Sequence, residues 1–149
     1  MSHPDPLSMD ANAANVSTQQ KQQEERRRRR SSDPLIALHY QLSTARHAGE
    51  LDAIVVADPS GVVVAGAGSW AVCEELAAYA PLLVHPGPMT DSASNRVDAL
   101  RREVEVRTMD IGGQEVLLCA RGGSTHYGVR DASVARAADG VTRILGAGP

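Results

Sequence analysis

Phenylalanine is absent from these 149 residues, and all aromatic residues together make up 3% of the chain. A core must therefore be assembled from Val, Leu, Ile, Ala and a few Met, which makes it aliphatic and thin. That suits a sheet flanked by small helices and leaves apolar surface for a partner to cover. Cysteine is scarce too: Cys73 and Cys119 sit in apolar stretches on a predicted helix and a predicted strand. They read as buried small hydrophobes in a reducing compartment, with a disulfide between them left open. No C-x-x-C or H-E-x-x-H occurs, so a zinc site has no support. No apolar run approaches the roughly 18 residues of a spanning helix. The opening MSHPDPLSMD has no apolar segment of the secretory kind, so the cytoplasm is the expected location. Net charge is −3, unevenly divided: residues 1–34 carry +1 and the remainder −4. A mildly acidic folded part lacks the basic face of a nucleic-acid-binding domain, and no specific nucleic-acid partner is expected.

What is present is concentrated between Leu51 and Ala80. Ile54, Val55 and Val56 are β-branched, Asp58-Pro59-Ser60-Gly61 is a turn tetrad, and Val62 to Val64 resume the apolar run, which predicts a β-hairpin. Asp at the first turn position bonds the backbone ahead of it, Pro presets φ at the second, and Gly permits the tight exit at the fourth. A helix is predicted from Ser69 as N-cap, with Glu74 and Glu75 early enough to favour the positive end of its dipole, and Pro81 ends or kinks it.

Upstream, residues 1–32 are poor in apolar groups and rich in Ser, Asn, Gln and charge, a composition predicted to stay disordered. The run Arg26, Arg27, Arg28, Arg29 and Arg30 reads as a contact to anionic lipid headgroups, to nucleic acid or to an acidic protein surface, or as a solubilising tail. A domain over 33–147 then opens on Asp33-Pro34, an N-cap followed by Pro at the first helical position. Leu35, Leu38, Leu42 and Ala45 recur at helical spacing, with Gly49 as the residue that stops the helix.

Downstream, Pro81 to Arg102 reads as a long loop with at most a helical turn near Val97 to Arg101. Val104, Val106 and Thr108 alternate with Glu103, Glu105 and Arg107, a half-buried strand. Gly112-Gly113 signals a hairpin. Gln114 to Ala120 is apolar on both parities and so predicts a central strand covered on both faces. Asp131 is able to cap a last helix, whose stripe is Val134, Ala138, Val141 and Leu145, ended by Gly146.

The order helix, hairpin, helix, loop, hairpin, helix predicts an α/β (α+β) fold, a mostly antiparallel sheet with helices on both faces. The hairpin with its Asp58–Gly61 turn, followed at once by a small-residue helix containing Glu74-Glu75-Leu76-Ala77-Ala78, resembles the bacterial type of the roadblock (dynein light-chain) domain family, over about Leu35 to Leu145. The resemblance implies a three-layer α/β/α sandwich around four to five strands; four are evident in the sequence, and a fifth, if there is one, is poorly written in Ser92 to Leu100. It also implies a non-enzymatic homodimer or heterodimer whose partner is a small Ras-like GTPase or related signalling protein.

Chemistry finds little purchase. Gly66-Ala67-Gly68-Ser69-Trp70-Ala71 has the form of a dinucleotide fingerprint, but its strand is one arm of a tight hairpin and no parallel strand returns. Gly122 to His126 offers amides to an anion without a P-loop lysine. A small enzyme using His126 or Cys119 is the weaker alternative, and no catalytic, cofactor or metal site is expected. An adaptor docked through the arginine run to a membrane or acidic partner is the other. The candidate partner or dimer contacts are Trp70, Cys73, Ala77 and Ala80 on the predicted helix, and Val104 and Val106 on the strand from Glu103 to Ile111. The helix residues either form core or offer a second apolar face.

Overall fold

The computed structural model describes residues 34–123 and 129–147. The chain divides into two units, Met1–Pro34 and Leu35–Pro149. The tail expected over 1–32, with Arg26 to Arg30, and the Asp33 cap lie outside the described residues, as does His126. Helix α1 covers 34–49. It is followed by β1 (Leu51–Ala57), β2 (Val63–Gly68), α2 (Trp70–Val84), α3 (Asp91–Glu103), β3 (Val104–Ile111), β4 (Gln114–Gly122) and α4 (Val129–Gly146). The strands form one sheet of order β2-β1-β4-β3, antiparallel throughout.

Strand alternation sorts the core into two halves. Ile54, Val56, Leu118 and Ala120 face Leu38, Leu42 and Ala45 of α1 and Val134, Ala137 and Val141 of α4. Val55, Ala57, Leu117 and Cys119 face Cys73, Leu76, Ala77 and Ala80 of α2 and Val97 and Leu100 of α3. The result is the expected three-layer sandwich. β1 and β4 occupy the centre, where their apolar residues of both parities are buried. The Gly112-Gly113 turn has positive φ at both residues, 62° and 83°, the backbone a two-residue hairpin loop requires.

The β1–β2 turn is built around one carboxylate. Asp58 Oδ1 accepts from Ser60 N at 2.9 Å, Ser60 Oγ at 2.6 Å and Val62 N at 3.1 Å. The Ser60 hydroxyl, then the Val62 amide, hold the Asp58 carboxyl below its ordinary 3.8. A depressed carboxylate stabilises the fold above its unfolded pKa, and that contribution is lost as pH falls through the folded value. Asp58→Ala is expected to cost about 1 kcal/mol at neutral pH. The gap between the two proteins should close on acidification below 3.8, as urea titrations at several pH values will check.

Several expectations are corrected. Pro81 lies inside α2, which runs on to Val84. The missing N–H forfeits one helical bond, but the Pro81 carbonyl accepts from His85 N at 2.8 Å and the extra turn buries Leu83. The helix begins at Trp70, so Glu74 and Glu75 fall in its second turn, and Ser69 occupies the N-cap position without a side-chain cap bond. At the end of α1 the left-handed residue is Glu50, φ 53°, not Gly49. Gly49 serves packing, since a Cβ there would stand 2.9 Å from Ser133 Cβ. The expected loop is largely helix α3, capped by Thr90 Oγ1 accepting from Ala93 N at 3.2 Å. No fifth strand hides in Ser92 to Leu100, and β3 is left as a sheet edge.

Candidate interaction site

Helix α2 is pinned to the sheet by its inner stripe. Cys73, Leu76, Ala77, Ala80 and Leu83 are buried, and Glu75 pairs with Arg96 of α3. Cys73, Ala77 and Ala80, expected as contacts for a partner, therefore lie between helix and sheet and present nothing outward. The stripe fixes what the opposite side shows. Trp70, Glu74 and Ala78 recur every four residues and lie outermost, with Trp70 60% exposed.

The hairpin turn completes a groove beside this stripe. Gly61 packs so closely on α2 that a Cβ there would lie 3.3 Å from both Ala77 O and Ala78 Cα, and its φ of +88° also favours glycine. Gly61, Val62, Val63, Trp70, Glu74 and Ala78 line a cavity of about 380 Å³. Val62 is exposed at its strand side, and Val64 of β2 is exposed as well. Val56 pairs with Ala65 and Ala57 with Val63, so Val64 is an extra residue in edge strand β2. The site is an apolar groove with an indole at one end and one carboxylate on its wall.

The second candidate surface is the β3 edge. Val104 is buried and Val106 half-buried, both packed towards α2 and α3. On the other face Arg107 donates to Asp131 of α4 at 2.7 Å and pairs with Glu105 at 3.4 Å. Beside it, Arg130 donates to the carbonyls of Glu103 and Gly122, each at 3.3 Å, closing the end of α3 onto β4.

The residues weighed for chemistry are placed elsewhere. Cys73 and Cys119 are free and buried. Burial pushes the Cys119 thiol up to about 12, so it stays protonated at neutral pH and is a poor nucleophile. Burial likewise raises Cys73. Gly66 and Gly68 serve close passage: a Cβ at Gly66 would stand 3.0 Å from Cys73 Sγ, and one at Gly68 2.5 Å from Asp52 O. His85 bonds Glu115 at 3.0 Å, and His39 Nδ1 lies 3.2 Å from Gly66 O. Among the described residues, no three His, Cys, Asp or Glu side chains converge on a metal position.

The groove is absent from the sequence-based expectations, although its signal is there to be read. Trp70, Glu74 and Ala78 have helical spacing out of phase with Cys73, Ala77 and Ala80, and Val62 follows directly on the turn glycine.

No family model matches the chain, and no curated protein matches it. Among solved structures, MglB of Myxococcus xanthus aligns with a TM-score of 0.50 at 14% identity, over 74% of this chain and 88% of that one. The gliding protein MglB of Thermus thermophilus gives 0.48 at 19% identity, over 75% and 90%. An MglB with tetrameric arrangement gives 0.48 at 16% identity, over 75% and 90%. The likeness to the first is one of fold: the chain has a roadblock-like architecture, here with four antiparallel strands between two helical layers.

Proposed function

We propose that this chain is a non-enzymatic regulator that binds a Ras-like small GTPase, or a related signalling protein, as a homodimer. The observation that carries the reading is the exposed Trp70 beside the groove of α2 and the β1–β2 turn. An indole held on a rigid helix next to an apolar recess has the form of an interface anchor, supplying large contact area at small entropic cost. The GTPase enters by analogy with the fold family alone. Glu74 on the groove wall favours a partner that brings a basic group to the apolar contact.

The two copies pair, in this proposal, through β3. Laid antiparallel about a twofold axis at Val106, the edge strand sets Glu105 opposite Arg107 of the second copy, twice, and continues the sheet. Glu105→Arg places like charges opposite each other and should dissociate the dimer, while exchanging the two residues restores the cross-strand pairs. Size-exclusion elution of the two variants checks this.

Partner binding is tested by retaining proteins from native lysate on the immobilised chain, with GDP or a non-hydrolysable GTP analogue present, and then titrating the purified partner. The expected result is a small GTPase whose recovery depends on nucleotide. Trp70→Ala should weaken that binding by about 30-fold, the roughly 2 kcal/mol of an anchor residue. Unchanged affinity in Trp70→Ala would remove the groove from the interface.

A further inference from the structure

Strand β2 ends the sheet opposite β3, paired with β1 along one edge and with no strand along the other among the described residues. Sheet edges are normally guarded against further pairing by charged side chains or proline, and Val63–Gly68, VVAGAG, carries neither. From Ala65 to Gly68 each residue has a methyl group or no side chain at all, so a second backbone meets little obstruction. Apolar surface is exposed on both sides of this edge. On the α2 side lies the groove of Val62, Val63, Trp70 and Ala78, with Glu74 on its wall. On the α1 side, His39 Nδ1 lies 3.2 Å from the Gly66 carbonyl, and Leu35 and Ile36 stand one helical turn before it, 48% and 56% exposed. Glu74 has no ion-pair partner among the described residues.

We propose that the β2 edge accepts an extended peptide segment of the partner as an added strand of the sheet. Its apolar side chains alternate between the Trp70 groove and the Leu35 and Ile36 flank of α1, and a Lys or Arg lies opposite Glu74. This rests on the reading of the Trp70 groove as an interface, and it names the form of the occupant. Successive side chains of a strand point to opposite faces, so one added strand fills the groove with one parity and covers Leu35 and Ile36 with the other. Its backbone also takes up the free amides and carbonyls of β2, which a helix laid in the groove leaves unpaired. Charge complementarity supplies the cation, since Glu74 is the charged group of the groove. A second copy of this chain fits poorly: its own β2 offers Val, Ala and Gly and no cation to Glu74. Pairing of two copies through β3 leaves both β2 edges at the outer ends of the joined sheet, so a dimer takes two such peptides.

The test is selection of phage-displayed random peptides on the immobilised full chain, followed by titration of the synthetic consensus. Trp70 is the sole tryptophan, so a blue shift of its emission reports filling of the groove. The consensus is expected to alternate apolar side chains and to carry a Lys or Arg. Methylating its backbone nitrogens at alternate positions should lower affinity by about tenfold or more in one parity, through lost hydrogen bonds, and leave it within about twofold in the other. Ile36→Asp, at an exposed position, should weaken binding by about tenfold with an unchanged melting curve. Glu74→Lys should weaken it by about threefold, and a consensus with Glu in place of its cation should restore it. Failure to enrich any peptide, or a consensus that leaves the Trp70 emission unmoved, would overturn the proposal. So would an Ile36→Asp variant that binds like the unmodified chain, which would confine the occupant to the groove. Tolerance of methylation in both parities would remove the strand yet leave a groove that takes side chains alone, a reading that Trp70→Ala decides separately. Equal loss in both parities, the behaviour of a helical occupant, would contradict the strand as well. Dissociation of the dimer by Val64→Lys would assign the edge to a second copy and overturn the proposal equally.

Discussion

Leu118→Asp is expected to abolish cooperative folding. Leu118 lies on β4 between Val56 of β1 and Arg107 of β3, fully buried on the face covered by α1 and α4. That half of the core consists of Leu, Ile, Val, Ala and Met side chains, and the cation opposite Leu118, Arg107, is already engaged by Asp131 and Glu105. Replacing leucine forfeits its packing, about 2–5 kcal/mol by the usual large-to-small scale. Burying a lone carboxylate costs several kcal/mol more. Together these match the roughly 5–15 kcal/mol that holds a domain folded. Far-UV circular dichroism on heating should show no sigmoidal transition. A cooperative melt within a few degrees of the unmodified protein would mean that β4 is not covered on that face.

Neighbouring alanines on α2 should behave in opposite ways. Ala77 is fully buried between helix and sheet, among Val55, Ala57 and Leu117. Ala77→Glu therefore forces a carboxylate on a longer side chain into a closed space, and loss of the folded state is expected from overpacking and desolvation together. Ala78 is exposed at the groove wall, and Ala78→Glu should change stability by no more than about 0.5 kcal/mol. It fills the recess and sets a second carboxylate four residues from Glu74, so partner affinity should fall by about tenfold or more, the loss expected of an anchor site. Thermal melts and partner titration on the two variants read these effects separately. A folded Ala77→Glu would show that the inner and outer faces of α2 have been exchanged.

The difficulty of reading those faces from sequence has a physical cause. The helix carries alanine or another apolar residue on every side, with Trp70, Ala71 and Ala78 outside and Cys73, Ala77 and Ala80 inside. Apolar periodicity therefore says little about which side meets the sheet. β1 and β4 are legible because β-branched and apolar residues on both parities fit only a strand covered twice. The Asp58 turn and the Gly112-Gly113 hairpin are legible because few backbone conformations suit those residues. Helix α3 is obscured by Asp91-Ser92-Ala93-Ser94-Asn95, a turn-like composition that forms the first turn and outer surface of a helix. Its own signals are Thr90 as a cap and the spacing of Ala93, Val97 and Leu100. Pro81 reads as a stop or a kink, and the helix continues past it because burial of Leu83 in the following turn offsets one missing bond. The Trp70 groove depends on how closely Gly61 approaches α2, a tertiary contact that local pattern does not encode.

That this chain works by contact, as a dimer, is tested most directly by the mass in solution. Light scattering on the unmodified protein at micromolar concentration should give twice the 15.8 kDa of one chain, falling towards a single chain only on dilution. A mass of 15.8 kDa that does not change with concentration would contradict pairing through the β3 edge, and with it the dimeric regulator proposed for this fold.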